Sequence, residues 1–342
     1  MHGPLSEGKF SVENLPDTPR MMGEADVALV DQILAKLPPE PRLIEFGPWL
    51  GGVSERLARR GELHVVDRFQ WSELNAKNYP DVLPVGQSFR PLFEARLAQQ
   101  GLGARIHQSE IEDFKWSGAK LDFCLIDAPR SAEDLLTCLR SIGASLAPSS
   151  YVLVKHGLNP AHLDMLSLID VMIALGWFGL VKTGQPKWCN IAVLRSTEAT
   201  SACMQETPAE ALIASLDELD SFPESMTREA LTLRIGRFAH WASEGHVDQA
   251  LKLLKAQPVS PDVLAIWDVI EPQMVVSKEH EGIFAAFAEL FCFHHGSREK
   301  TLWAPADESP IWAMRHAWLA TKGGGGLSIE TLLDATQSEK RD

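Results

Sequence analysis

The sequence predicts an α/β protein: a mostly parallel sheet covered by helices on both faces, with a reversed last strand near its edge, followed by an all-helical C-terminal domain. Three observations predict this. Strand-length apolar runs alternate with helical patterns from residue 42 to about 197, the signature of parallel strands joined by crossover helices. The last two strand patterns, WFGLVKT and WCNIAVLR, are joined by only a Gly/Gln/Pro turn, which is too short for a crossover and makes them antiparallel. Beyond residue 205 the periodicity is helical, with no convincing strand.

Each element follows in order. Residues 1–24 read as a flexible arm rich in Pro, Gly and charge. ADVALVDQILAKL places Val27, Val30, Ile33, Leu34 and Leu37 at helical spacing, and Pro38, Pro39 and Pro41 stop that helix. LIEF, ELHVVD, ARIHQ, LDFCLID and SSYVLVK read as five strands, with LDFCLID the strongest. Between them SERLARR, PLFEARLAQQGL and SAEDLLTCLRSIGASL read as helices, and residues 68–90 form a long connection. HLDMLSLIDVMIALG is a further helix before the final strand pair. The partition expected is thus a sheet domain over 25–197, a small polar linker, and a helical domain over 205–342. Within the latter, ALTLRIGRFAHWASEGHVDQALKLL resembles one degenerate tetratricopeptide unit, though a plain helical bundle fits it better. KGGGGLS at 322–328 reads as a linker.

Composition narrows the function classes. The 342 residues are 45% hydrophobic and 23% charged, with a formal net charge of -14, and no run of Lys and Arg interrupts that acidity. Such a surface repels phosphate backbones, so no nucleic-acid partner is expected. Five scattered cysteines without a CxxC fit neither a zinc site nor a disulfide framework, and Cys124 and Cys189 sit in apolar runs as core residues. No apolar stretch is long enough for a membrane span, and the N-terminus carries no signal-peptide core, so a cytoplasmic location is expected. His240 and His294-His295 lie on helical segments without a matching ligand set, and Trp303, Trp312 and Trp318 read as helix packing or a patch for a partner.

The chemistry concentrates in RLIEFGPWLGGVSERLA. Glu45 ends a strand, Gly47, Gly51 and Gly52 make the loop, and Ser54 opens the helix as a cap. Open α/β sheets bind ligands at this kind of strand-to-helix junction. A dinucleotide site wants a second glycine where Trp49 stands, so a nicotinamide-dependent enzyme is disfavoured. A nucleoside-bearing cofactor without phosphates is accommodated better.

The stretch Glu45-Phe46-Gly47-Pro48-Trp49-Leu50-Gly51-Gly52-Val53-Ser54 resembles motif I of the class I S-adenosylmethionine-dependent methyltransferases. The order of elements, ending in a reversed strand, matches the Rossmann-like sheet of that family over roughly residues 25–197. The resemblance implies S-adenosyl-L-methionine as cofactor, held by Glu45, Phe46, Gly47, Pro48, Gly51 and Ser54. It implies that Asp67, at the end of LHVVD, takes the ribose hydroxyls, with Arg68 and Phe69 following and Phe69 against the adenine. In ARIHQSEIEDF the family's Gly-Asp pair reads Gln108-Ser109, which leaves Ser109 or Glu110 to accept from the adenine amine.

LDFCLIDAPRSAEDLLTCLRSIGASLAPSSYVLV further resembles the small-molecule O-methyltransferases of methyltransferase family 24, through Asp127, Ser131 and Glu133. Ala128, Pro129 and Arg130 replace that family's Gly, Asp and His, and Lys155-His156 stands where relatives often carry His-Asp. Two oxygen ligands are missing, so no metal is expected. His156, with an ordinary pKa near 6.5, is the expected base, Asp127 the group that orients substrate or His156, and Arg130 the holder of an acidic group on the acceptor. The implied activity is methyl transfer to a hydroxyl of a small molecule, sugar or glycan. The rival reading is a catalytically impaired cofactor-binding scaffold. In either case the helical domain would lid the cleft, form a homodimer or recruit a protein partner.

Overall fold

The computed structural model describes residues 22–183, 189–204, 206–215, 227–246 and 248–250, together with positions 252, 266 and 270. The expected arm over most of 1–24, the glycine linker, the C-terminal tryptophans, Cys292 and His294-His295 lie outside the described residues. So does most of the second half of the tetratricopeptide-like pair. The chain divides into two compact units, residues 1–156 with 173–207, and residues 157–172 with 208–342.

The first unit holds a seven-stranded sheet: β1 (Arg42–Phe46), β2 (Glu62–Asp67), β3 (Arg105–Gln108), β4 (Leu121–Ile126), β5 (Leu146–Val154), β6 (Phe178–Leu180) and β7 (Ala192–Ser196). The order across it is β3-β2-β1-β4-β5-β7-β6. All pairings from β3 to β5 are parallel, and β7 runs antiparallel to both β5 and β6. The expected reversed strand is therefore present, one position in from the edge.

The central strands are apolar because both faces are covered. Leu43, Ile44, Phe46, Val65, Phe123, Leu125, Val152 and Val154 are buried, the composition parallel strands require. Helices of this unit include α1 (Glu24–Leu34), α2 (Ser54–Arg60), α3 (Glu73–Asn78), α4 (Arg90–Gln99) and α5 (Ala132–Ile142). α1 buries Val27, Leu29, Val30, Ile33 and Leu34, so its apolar spacing becomes a core face. The Ser131 hydroxyl accepts from the Asp134 amide and starts α5. α3 interrupts the 68–90 connection, which the sequence pattern leaves without a helix; the Ser72 side chain caps it by accepting from Asn75 N–H. Cys124 and Cys189 are buried, as their apolar surroundings suggest.

In the second unit, α6 (Leu163–Ala174) belongs to it up to Met172, and α7 (Ala209–Ser215) and α8 (Arg228–Ser243) follow. Arg237 is fully buried on α8, with Nη2 2.6 Å from Asp170 Oδ2 on α6. Gly236 lies against Leu166 so closely that a Cβ there would come within 2.7 Å of it.

Sheet order positions the site. The chain moves outward from β1 through β2 to β3, then returns to the other side of β1 to lay down β4. The connections leaving β1 and β4 therefore part in opposite directions, which opens a crevice at the carboxyl ends of those strands.

Candidate functional site

Parallel register sets the site. Phe46 pairs with Val66 and with Ile126, and Ile126 pairs with Val154. One residue further along, Asp67, Gly47, Asp127 and Lys155 form a row just past the sheet, and Gln108 extends it through its pairing with Asp67. Neighbours in register point to the same side, and Asp67, Gly47, Asp127 and Lys155 confront one space. That space is a cavity of about 430 Å³ lined by Glu45, Gly47, Asp67, Asp127 and Lys155 among others. The volume lies within the usual range for small-molecule sites.

Gly47 has a φ of +80°, and a Cβ on it would lie 3.1 Å from the Ala128 amide nitrogen. A side chain is excluded there by backbone conformation and by contact, which keeps the middle of the acidic row bare. Gly51 has a φ of +85° and rests on the Phe93 ring, outside the cavity lining. Trp49, also with positive φ, lines the cavity. Its ring is 6.5 Å from that of Trp71 and 5.1 Å from that of Tyr79. Among the described residues its buried Nε1–H has no acceptor.

Three buried carboxyls give the site its electrostatics. Glu45 is 2% exposed and its pKa is raised to about 8. Burial is the main cause; the Ser54 hydrogen bond opposes it, and Asp127 and Asp67 add to it. Burial also lifts Asp67 to about 6, although its carboxylate accepts from Phe69 N–H at 2.5 Å. Burial lifts Asp127 to about 6 against the pull of Lys155. Lys155 Nζ lies 3.0 Å from Asp127 Oδ1 and 3.1 Å from Oδ2. The one ammonium thus engages both carboxylate oxygens. Glu110, Glu112 and Asp134 also line the cavity, so six carboxyls face three cations, Arg68, Arg130 and Lys155.

Of the residues singled out from sequence, Glu45, Gly47, Pro48, Asp67, Arg68, Ser109, Glu110, Asp127 and Arg130 line this cavity. Phe46 does not: it is buried and meets Phe114 edge-on at 5.8 Å. Ser54 is no helix cap. α2 starts at Ser54 itself, and its hydroxyl donates to Glu45 Oε2 at 2.6 Å, because the buried carboxyl needs a donor. Phe69 does not line this cavity either. The bond from its N–H to Asp67 folds it into a left-handed turn, and its fully buried ring packs on Phe89 and Phe93.

His156, expected as the base, also lies outside this lining. The register brings Lys155 beside Asp127; successive side chains alternate, and the chain turns at His156 with a φ of +63°. Lys155 lines the cavity and His156 does not. Arg130 sits at the rim with Nη1 donating to the carbonyls of Asp127, Ala128 and Pro129. Gln108 donates to the Arg68 carbonyl and accepts from Arg90.

Sequence reasoning missed Lys155, the partnerless indole of Trp49, and Gln70, Ser72, Leu74, Asn75 and Phe89 from the long connection. The signal available was length, since connections that long are usually functional. Among the described residues no group of three or more His, Cys, Asp or Glu side chains is placed to hold a metal, and no helix is long and apolar enough to cross a membrane.

No family model matches the chain, and no curated protein matches it. Among solved structures, it is similar to the S-adenosylmethionine-dependent methyltransferase SibL in its apo form, with 18% identity, 51% of this chain and 54% of that chain covered, and a TM-score of 0.36. It is similar to Haemonchus contortus phosphoethanolamine N-methyltransferase 1, with 13% identity, 56% and 46% covered, and a TM-score of 0.40. It is also similar to the N-methyltransferase NodS from Bradyrhizobium japonicum bound to S-adenosyl-L-homocysteine, with 14% identity, 55% and 97% covered, and a TM-score of 0.36. The chain thus spans about half the length of the first two, and identities and TM-scores this low establish no shared activity.

Proposed function

We propose that the cavity binds S-adenosyl-L-methionine and that the protein is a methyltransferase acting on a hydroxyl of a small molecule, sugar or glycan. The observation that carries this reading is the row at the sheet's carboxyl edge, with the Asp67 carboxyl, bare Gly47 and the Asp127 carboxyl side by side and Glu45 behind them. A ribose diol has two donors, and a carboxylate at a strand end is their natural acceptor. Peptide without a side chain at Gly47 allows close approach. Ser109 or Glu110 would accept from the adenine amine. Even with Glu45 protonated, carboxylates outnumber cations around the cavity, which favours a cofactor without phosphates, and a cationic one above all.

When bound, the cofactor supplies an electrophilic methyl group. The chain's own work is to hold donor and acceptor in line, exclude water and accept the acceptor's proton. Asp127, near 6 and on the cavity wall, is better placed for the proton than His156. Calorimetry with S-adenosyl-L-methionine and with NAD, followed by transfer of a radiolabelled methyl group to hydroxylated acceptors, tests the proposal. Absent binding of S-adenosyl-L-methionine refutes it. The scaffold reading is favoured by one observation, the salt bridge that already engages Asp127; binding with no transfer to any acceptor would support that reading.

A further inference from the structure

We infer that the His64–His107 pair is an acid-released clasp on the β3–β4 connection, the segment that forms one wall of the cavity. Residues 109–120 pass back across β2 and β1 to reach β4, and no helix forms along them. A crossover of this kind usually covers its sheet with a helix. Here aromatic rings do the covering. Phe114 meets Phe46 at 5.8 Å and His107 at 5.3 Å, and Trp116 meets His64 at 4.6 Å and His107 at 6.0 Å. The same segment opens with Ser109, Glu110, Ile111 and Glu112, which line the cavity. What holds Phe114 and Trp116 in place therefore holds that wall, whatever ligand the cavity takes.

Register puts both imidazoles on one face of the sheet, since His64 pairs with Arg105 and Val66 with His107. The rings stack at 5.3 Å, with His64 Nδ1 3.0 Å from His107 Nε2. One of these nitrogens must donate and the other accept. A pair with no extra proton, or with one, meets that condition. A pair with two sets donor against donor and cation against cation. The surrounding charges offer a second cation little relief. Glu62 Oε1 lies 3.5 Å from His64 Nε2, but that carboxylate is already engaged by Arg105 at 2.8 Å and Arg42 at 3.0 Å. Burial holds His64 below its ordinary 6.5, with His107 and Arg105 adding and Glu62 opposing, and burial and Arg105 lower His107. Both rings are therefore neutral at pH 7. Once the segment lifts, water reaches the rings and they take protons at ordinary values. Opening is thus favoured as pH falls below 6.5.

Hydrogen exchange read by mass spectrometry on the full-length, ligand-free chain tests the clasp. After correction for the intrinsic pH dependence of exchange, protection of peptides spanning 109–120 should fall at least about tenfold from about pH 7.5 to about pH 5, while β1 and β4 keep theirs. In the double variant His64→Asn with His107→Gln, side-chain amides stand where Nδ1 and Nε2 stood and can hydrogen-bond without taking a proton. Protection over 109–120 should then change by less than about twofold across the same range. A wild type with no acid-driven loss confined to this segment overturns the inference, as does a folded double variant that loses protection like the wild type. If the double variant does not fold, NMR of the wild type with labelled histidines decides: the loss should track proton uptake by His64 and His107, and a loss at a pH where neither titrates overturns the inference. No ligand enters these measurements, so their outcome is separate from that of the cofactor reading.

Discussion

Replacing Glu45 with Gln isolates the cost of keeping an acid in the floor of this cavity. Glu45 is 2% exposed and its carboxyl titrates at about 8 against an ordinary 4.5. The folded chain therefore holds a proton that the unfolded chain releases across this window. A group with a raised pKa contributes its full stability below the unfolded value and loses it as pH climbs through the folded one. At about 1.4 kcal/mol per tenfold, the loss reaches roughly 4–5 kcal/mol above pH 8 and about 3 kcal/mol at pH 7. Gln has the same shape, carries no charge and can still accept from the Ser54 hydroxyl, which lies 2.6 Å from the carboxyl oxygen. Urea unfolding followed by circular dichroism from pH 5 to 8.5 should show the wild type losing stability with rising pH. The Glu45→Gln curve should be flatter by several kcal/mol, with the two proteins nearly equal near pH 4.5. Parallel curves would show that Glu45 is not held protonated and would remove the argument from burial.

Other outcomes follow from the same geometry. Asp67→Ala should weaken S-adenosyl-L-homocysteine binding by about 1–3 kcal/mol in calorimetry, the value of a charged acceptor lost by two hydroxyls. With Asp67 titrating at about 6, wild-type affinity for that ligand should fall by up to about tenfold per pH unit below 6 and level off above 7, since only the ionised form accepts from both hydroxyls. Gly47→Ala forces a Cβ to 3.1 Å from the Ala128 nitrogen at a φ of +80°, and a cost of about 1–3 kcal/mol in thermal unfolding should accompany the loss of ligand binding. His156→Ala, outside the cavity lining, should leave S-adenosyl-L-homocysteine affinity within about threefold.

The sheet was legible because parallel strands buried on both faces have few sequence solutions. RLIEF, ELHVVD and LDFCLID are near-continuous apolar runs, each closed by a polar residue or a glycine turn at the strand end. The acids at those ends were equally legible, since Glu45 and Asp67 interrupt runs in which a charge needs a reason. Side-chain direction was not. Choosing between Lys155 and His156 requires the register of β5 against β4, a tertiary quantity that no local pattern carries. The burial of Phe69 is hidden from the sequence for a related reason: a single hydrogen bond from its amide to Asp67 accompanies a left-handed backbone that sends the ring inward. Ser54 has the residue type of a cap, but a buried carboxyl nearby was the stronger claimant for its hydroxyl.

The polypeptide passes between its two compact units three times, at about residues 156, 172 and 207. The segment over 157–172 is embedded in the sequence of one unit and carries Asp170, the counter-charge for the sealed-in Arg237 of the other. No single cut yields two self-sufficient fragments. A shortened chain stopping near 207 keeps Asp170 without Arg237 and Leu166 without the close approach of Gly236. A fragment beginning there keeps Arg237 without Asp170. Dissecting the molecule therefore calls for transplanting or replacing that sixteen-residue excursion rather than choosing a boundary.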